Sequence, residues 1–267
     1  MSRISAAFAC ARAENRAALV IYLTAGDPDL ATTARLIVAA AEAGADVIEV
    51  GVPFSDPSAD GIAIQRASER SLKRGTSLRG VLGAVREARA HTECAVLLFG
   101  YYNPILAYGE SRLVDDAKAA GVDGFLVVDL PPEACAPLRD PARAAGLDFV
   151  PLVAPTSTDA RIDAAAAVAS GFVYYVSLTG VTGAAAPDFA AASTRALQVR
   201  QRSGLPVAVG FGVKTPDDVR QIAAHADGVV VGSAVVQQVE SALSADDAVV
   251  RVRALVAALA AATHRAA

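Results

Sequence analysis

The sequence predicts a single-domain (β/α)8 TIM barrel over residues 1–267, with an extra N-terminal helix. Three observations lead there. Eight short apolar segments alternate with helical segments from residue 18 onward. These segments are continuously apolar rather than alternating, as in strands buried on both faces of a parallel sheet. Ala-Gly-x-Asp recurs at 43–46, 120–123 and 145–148, each time between a helical segment and the next strand. Such recurrence marks one structural unit used repeatedly. A chain of 267 residues fits one barrel of roughly 250 residues. A doubly wound open sheet competes, but no Gly-x-Gly-x-x-Gly follows the first strand.

Residues 1–17 hold a helix and a lead-in, and 18–267 form the barrel. Ile4, Phe8 and Ala11 fall on one face of a helix over 2–14. Strands are expected at 19–24 (LVIYLT), 47–50 (VIEV), 95–100 (AVLLFG), 125–129 (FLVVD), 148–153 (DFVPLV), 172–177 (FVYYVS), 206–210 (PVAVG) and 228–232 (GVVVG). The first barrel helix starts after Asp27-Pro28, runs over 29–43 and stops at Gly44. Two helices, 62–73 and 78–90, separate the second and third strands. Further helices fit 110–120, 133–145, 159–169, 188–203 and 215–224, and 234–263 holds a short helix and a longer one starting near Ser244. The glycine of each Ala-Gly-x-Asp suits the left-handed conformation that ends helices.

Composition narrows the function. Net charge is −4 and Lys and Arg are scattered, so no basic footprint for nucleic acid is present. No apolar run reaches the roughly 20 residues of a membrane span, and the N-terminus lacks the apolar centre of a signal peptide. The expected location is the cytoplasm. Cys10, Cys94 and Cys135 form no C-x-x-C pair, and His91, His225 and His264 are isolated, so no disulfide framework or metal site is expected. Any acid/base chemistry falls to carboxylates and tyrosines.

Barrel active sites form at the C-terminal ends of the strands. The stretch from Asp46 to Gly61, DVIEVGVPFSDPSADG, places Glu49 inside an apolar strand and Asp60 on the loop after it. A carboxylate at such a strand position is costly to bury. Acid/base catalysis is one reading of the pair. The other is an ion pair for Glu49 and a helix cap for Asp60. Gly183, Gly210, Gly212, Gly232 and Ser233 offer backbone N–H groups in the loops after the last three strands, where barrels commonly bind phosphate. Tyr22, Phe99, Leu126, Tyr174, Phe211 and Val230 come from strands or strand ends. They read as barrel packing or, beside a phosphate clasp, as an apolar slot for a flat group on a phosphorylated polyol.

The segments GDPD at 26–29, IEVGVPFSDPSADG at 48–61, YYNPIL at 101–106, LVAPTS at 152–157, YYVSLTGVTG at 174–183, GFGV at 210–213 and GVVVGSA at 228–234 together resemble the tryptophan synthase alpha subunit family. The resemblance runs in order along nearly the whole chain. It implies a barrel that cleaves indole-3-glycerol phosphate to indole and glyceraldehyde 3-phosphate. It also implies a beta subunit partner, in an alpha2-beta2 heterotetramer, that carries pyridoxal phosphate and receives the indole. No cofactor is expected in this chain, and no lysine lies in a predicted strand. Carried over by residue, Glu49 and Asp60 match the catalytic carboxylates and Tyr174 the tyrosine beside them. Gly183, Gly212, Gly232 and Ser233 match the phosphate site, and Thr182 matches the threonine that closes on Asp60. The family commonly has proline where this chain has Ile62, which bears on the ordering of the Asp60 loop.

Three competing readings share these residues: a free-standing indole-forming lyase, another phosphate-binding isomerase or epimerase barrel, and a non-catalytic barrel that activates a beta subunit. The long loop over 177–190 is expected to close over Asp60 when phosphate binds.

Overall fold

The computed structural model describes residues 1–176, 189–210 and 212–265. Its strands are β1 (Ala18–Thr24), β2 (Val47–Gly51), β3 (Ala95–Gly100), β4 (Gly124–Val127), β5 (Asp148–Phe149), β6 (Leu152–Val153), β7 (Val173–Val176), β8 (Val207–Gly210) and β9 (Gly228–Val231). All the pairings between them are parallel. The order is β5-β4-β3-β2-β1-β9-β8-β7-β6. The two ends of that order, β5 and β6, are halves of the one strand expected at 148–153. Val150 donates its N–H to Phe125 on one side, and Pro151 accepts from Tyr174 on the other. One extended segment thus joins both ends of the sheet and closes the barrel. Pro151 has no N–H, so the ladder is interrupted there.

The helices are α1 (Arg3–Ala13), α2 (Leu30–Glu42), α3 (Ile62–Lys73), α4 (Leu78–Arg89), α5 (Tyr102–Tyr108), α6 (Glu110–Ala120), α7 (Ala136–Ala144), α8 (Asp159–Val168), α9 (Phe189–Ser203), α10 (Pro216–Ala223), α11 (Ser233–Glu240) and α12 (Ala245–Ala261). Two differ from expectation. α5 occupies a stretch read as loop, because Tyr101 in extended conformation starts a helix that Asn103-Pro104 does not prevent. Proline is tolerated in a first helical turn, where its missing N–H has no partner to lose. The segment at 133–145 is broken into a 3-10 turn at Pro132–Ala134 and α7. α9 begins at Phe189, so residues 189 and 190 of the expected long loop are helical. The remainder of that loop, 177–188, lies outside the described residues.

Alternate strand residues face two cores. The outward set, such as Ile21, Ile48, Val50 and Leu98, packs under the helices. The inward set fills the barrel: Val20, Tyr22, Val47, Leu97, Phe99, Leu126, Tyr174, Ala208 and Val230. α1 plugs the lower mouth as its pattern predicts, with Ile4, Phe8 and Ala11 buried and the Phe8 ring 5.0 Å from that of Phe172.

The Ala-Gly-x-Asp units explain the lower rim. Gly44, Gly121 and Gly146 have φ of 105°, 86° and 73°, the left-handed region. Each chain then enters a strand with the aspartate at its start. Asp46 accepts the Leu19 N–H at 2.7 Å, and Asp123 accepts the Val96 N–H at 2.8 Å. Asp227, ahead of β9, does the same for Val207 at 3.0 Å. Arginines close the rim: Arg16 grips Asp46 with two bonds of 2.6 and 2.8 Å, and Arg89 meets Asp123 at 3.0 Å. These aspartates pair an N–H in the first two residues of a neighbouring strand, which would otherwise be buried unpaired.

Candidate active site

At the opposite rim, Glu49 sits in the middle of β2 and points inward because Val47 does and the period is two. Its register neighbours are Tyr22 on β1 and Leu97 on β3, both buried. Glu49 is 1% exposed, and its Oε1 has no hydrogen-bond partner among the described residues. The expected alternative, an ion pair for Glu49, is absent among the described residues. Burial alone pushes its carboxyl up to about 8. At neutral pH this group holds its proton and can donate it.

Asp60 lies on the loop between β2 and α3, half-buried. Burial raises its carboxyl to about 6, and a hydrogen bond from Tyr101 partly offsets that rise. It is therefore largely ionised at neutral pH. α3 begins at Ile62 without a proline, its N-terminal Gly61 lacking a side-chain cap, while Gln65 Nε2 donates to the Asp60 carbonyl at 2.8 Å. Asp60 does not cap the helix that follows it.

Two buried tyrosines share the interior with the carboxylates and feel their charge. Tyr22 and Tyr174 are 5% and 4% exposed, and burial raises both phenols well above their ordinary range. Each hydroxyl lies over a glycine of the adjacent strand: a Cβ at Gly51 would sit 2.1 Å from the Tyr22 hydroxyl, and one at Gly210 would sit 2.1 Å from that of Tyr174. Glycine is required at both positions for the phenols to lie there. The Tyr22 ring meets Phe99 edge-on at 5.2 Å. Phe99, Leu126 and Val230 line the same interior, and Phe211 lies outside the described residues.

Of the phosphate candidates, Gly212, Gly232 and Ser233 lie among the described residues. Gly232 precedes α11 with no side-chain cap, leaving the first N–H groups of that helix available to an anion. Ser233 opens the helix, 3.6 Å from where a Cβ on Gly61 would be. Gly212 has φ of 84°, a conformation that glycine adopts without strain. Gly183 and Thr182 lie outside the described residues. Among the described residues no cluster of His, Cys, Asp and Glu could hold a metal.

Sequence reasoning missed Tyr101. Its hydroxyl accepts the Ala59 N–H at 3.0 Å and hydrogen-bonds the Asp60 carboxylate, and its ring lies 5.1 Å from that of Phe54. A second tie, also unforeseen, fixes the neighbouring loop. Arg70 on α3 binds Asp27 with bonds of 2.9 and 2.7 Å and reaches Glu240, the last residue of α11, at 2.9 Å. The helix after Asp60 is thereby tied to the helix that opens at Ser233.

Known proteins share this architecture. A family model described as tryptophan synthase alpha chain matches residues 8–264. A tryptophan synthase alpha chain of Geobacter sulfurreducens is 52% identical over 246 residues, covering 92% of this chain and 93% of that protein. The crystal structure of tryptophan synthase subunit alpha from Legionella pneumophila superposes with a TM-score of 0.91 at 38% identity, covering 98% of both chains. A chain of tryptophan synthase from Mycobacterium tuberculosis gives 0.90 at 39% identity over 99% of both. The chain belongs to the tryptophan synthase alpha chain family.

Proposed function

We propose that this chain, an enzyme component of tryptophan synthesis, cleaves the carbon–carbon bond of indole-3-glycerol phosphate and releases indole and glyceraldehyde 3-phosphate. The observation that carries the reading is Glu49, a buried carboxyl raised to about 8 with an unsatisfied oxygen facing the barrel interior. Indole must leave as a carbon leaving group, and Glu49 supplies the proton to its C3. The adjacent side-chain hydroxyl of the substrate then returns a proton to Glu49 as its oxygen forms the aldehyde carbonyl. The bond from C3 to that carbon breaks, and the proton count closes. Asp60, ionised, accepts the ring N–H and stabilises the positive charge made by C3 protonation. Each general acid–base contribution is worth about 10²–10⁴-fold. Tyr174 fixes the position of Glu49. Gly212, Gly232 and Ser233, with Gly183, hold the phosphate, and Tyr22, Phe99, Leu126, Phe211 and Val230 hold the indole ring. Thr182 is assigned to closing the site over Asp60.

The proposed steps use no cofactor in this chain. Pyridoxal phosphate is assigned to a beta subunit that takes the indole, in an alpha2-beta2 assembly. Its docking surface is assigned to the loops after the second and sixth predicted strands. The whole assembly is proposed to be cytoplasmic. Among the described residues no helix is long and apolar enough to cross a membrane.

The test is indole release by the purified chain, with and without beta subunit, alongside Glu49→Gln. Release that beta subunit raises and Glu49→Gln abolishes supports the lyase half of a channelling enzyme. Strong release indifferent to beta subunit favours a free-standing lyase. No release under either condition overturns the assigned reaction.

A further inference from the structure

The loop that carries Asp60 hangs from Tyr101, whose hydroxyl accepts the N–H of Ala59, the residue before Asp60, at 3.0 Å. The ring of Tyr101 packs on Phe54 of the same loop, with centroids 5.1 Å apart. What holds Tyr101 itself lies one strand further round the barrel. Its backbone is pinned on both flanks by two consecutive residues that follow β4. On one side the Gly100 carbonyl accepts the Val128 N–H at 2.9 Å. On the other, the Tyr102 N–H donates to Asp129 Oδ1 at 2.7 Å. Between these bonds Tyr101 is extended, with φ of −110° and ψ of 156°, and α5 starts from it.

A helix leaves its first N–H groups without partners, and a side-chain oxygen of the residue ahead of it ordinarily supplies one. Tyr101 stands at that place and its side chain makes no such bond. Asp129 supplies the oxygen from another segment. The Asp129 side chain is exposed, so burial does not force the contact, whereas the positive end of α5 favours a carboxylate there. α5 has seven residues, too few to hold a helix without outside contacts. Its first turn fixes the direction in which the Tyr101 phenol points. We propose that Asp129 is a positioning residue for Asp60, acting through Tyr101: by capping α5 from the neighbouring strand end, it holds the phenol from which the Asp60 loop hangs. The inference rests on the lyase reading, in which the Asp60 carboxylate must meet the indole N–H. Without the cap, the first turn of α5 frays, the phenol leaves the Ala59 N–H, and the loop loses its anchor.

The experiment compares the full chain with Asp129→Ala and Asp129→Asn. Asparagine keeps an acceptor oxygen without the charge and caps helices as well as aspartate does. Indole release is followed with beta subunit present. Hydrogen exchange of the Ala59 amide and the 13C titration of the Asp60 carboxyl are read by NMR on the chain itself. Asp129→Ala is expected to lower kcat about fivefold, the size of one cap bond, with little change in KM. It also speeds exchange of the Ala59 amide and moves the Asp60 titration to higher pH, because the Tyr101 donor is lost. Asp129→Asn returns all three readings to near those of the parent. Loss of charge alone would move the Asp60 titration the other way, and in both variants. If Asp129→Ala speeds exchange at Tyr102 but leaves Ala59 and Asp60 unmoved, Asp129 only caps its helix and the proposal is overturned. Asparagine as impaired as alanine overturns it too, since the charge and not the cap would then matter. A parent that releases no indole overturns the lyase reading instead, and the Ala59 exchange and Asp60 titration still decide the role of Asp129.

Discussion

Tyr101 holds Asp60 at two adjacent points: its hydroxyl accepts the Ala59 N–H at 3.0 Å and donates to the Asp60 carboxylate. One phenol therefore fixes both the loop backbone and the side chain. The donated bond favours the ionised carboxylate, opposing the effect of burial. Tyr101→Phe is expected to raise the Asp60 pKa above its value of about 6 and to lower kcat/KM about tenfold at neutral pH. Carboxyl 13C NMR of the variant checks the first and indole release the second. An Asp60 titration that stays put would show that the bond is not made in solution.

The pH profile of cleavage should be bell-shaped. Asp60 must be ionised and Glu49 protonated, so kcat/KM rises through about 6, peaks near neutrality and falls through about 8. The substrate phosphate also titrates at about 6. The Tyr101→Phe variant separates the two, because it moves the Asp60 limb and leaves the phosphate alone. A profile flat from pH 7 to 10 would remove Glu49 from the role of acid.

Glu49 also makes stability depend on pH. Its carboxyl has an ordinary value of 4.5 and lies at about 8 in the folded chain. Between those limits the unfolded chain has released a proton that the folded chain keeps. Stability is therefore lost as pH rises through this window, by an amount on the order of a few kcal/mol. Glu49→Gln removes the ionisation, so relative to the parent the variant gains stability from pH 5 to pH 8. Denaturant midpoints of both proteins at the two pH values measure this, and a difference independent of pH would contradict the burial of the charge.

The lower rim should respond in the opposite sense, in stability and not in turnover. Asp123 is buried, accepts the Val96 N–H, and pairs with Arg89 and Arg3 at 3.0 and 3.1 Å. Asp123→Ala leaves a buried N–H unpaired and an arginine without its main anion, at a cost of about 3 kcal/mol. Urea denaturation is expected to show this loss, with kcat of the remaining folded enzyme unchanged. A fall in kcat without a fall in stability would move Asp123 out of the structural role.

Much of the site was legible in the sequence because its signals are violations of local preference. Glu49 interrupts a Val/Ile strand, and such a residue needs a reason. Gly232-Ser233 between a strand and a helix announced an uncapped N-terminus. The aspartates of Ala-Gly-x-Asp were visible as a repeat, although their partners were not. Tyr101 was passed over because Tyr101-Tyr102-Asn103-Pro104 carries loop-forming residues and gives no hint of a helix. The bond between Arg70 and Asp27 was hidden because the two residues lie 43 positions apart in the chain. The competing fold failed on sheet closure, which depends on β5 and β6 being halves of one segment.

The sequence by itself determined the strand and helix alternation, the place of Glu49 inside an apolar strand, and the family through its ordered motifs. Those follow from short-range physics: hydropathy period, helix-ending glycine, and turn residues at fixed offsets. Only the tertiary structure decided which groups face one another. The pairing register sets Tyr22 beside Glu49 and lays its hydroxyl over Gly51, and the folding of one loop brings Asp60 to Tyr101. Protonation at neutral pH was likewise decided by the fold. A carboxyl has one intrinsic affinity for its proton, and depth of burial and the donors around it separate Glu49 from Asp60.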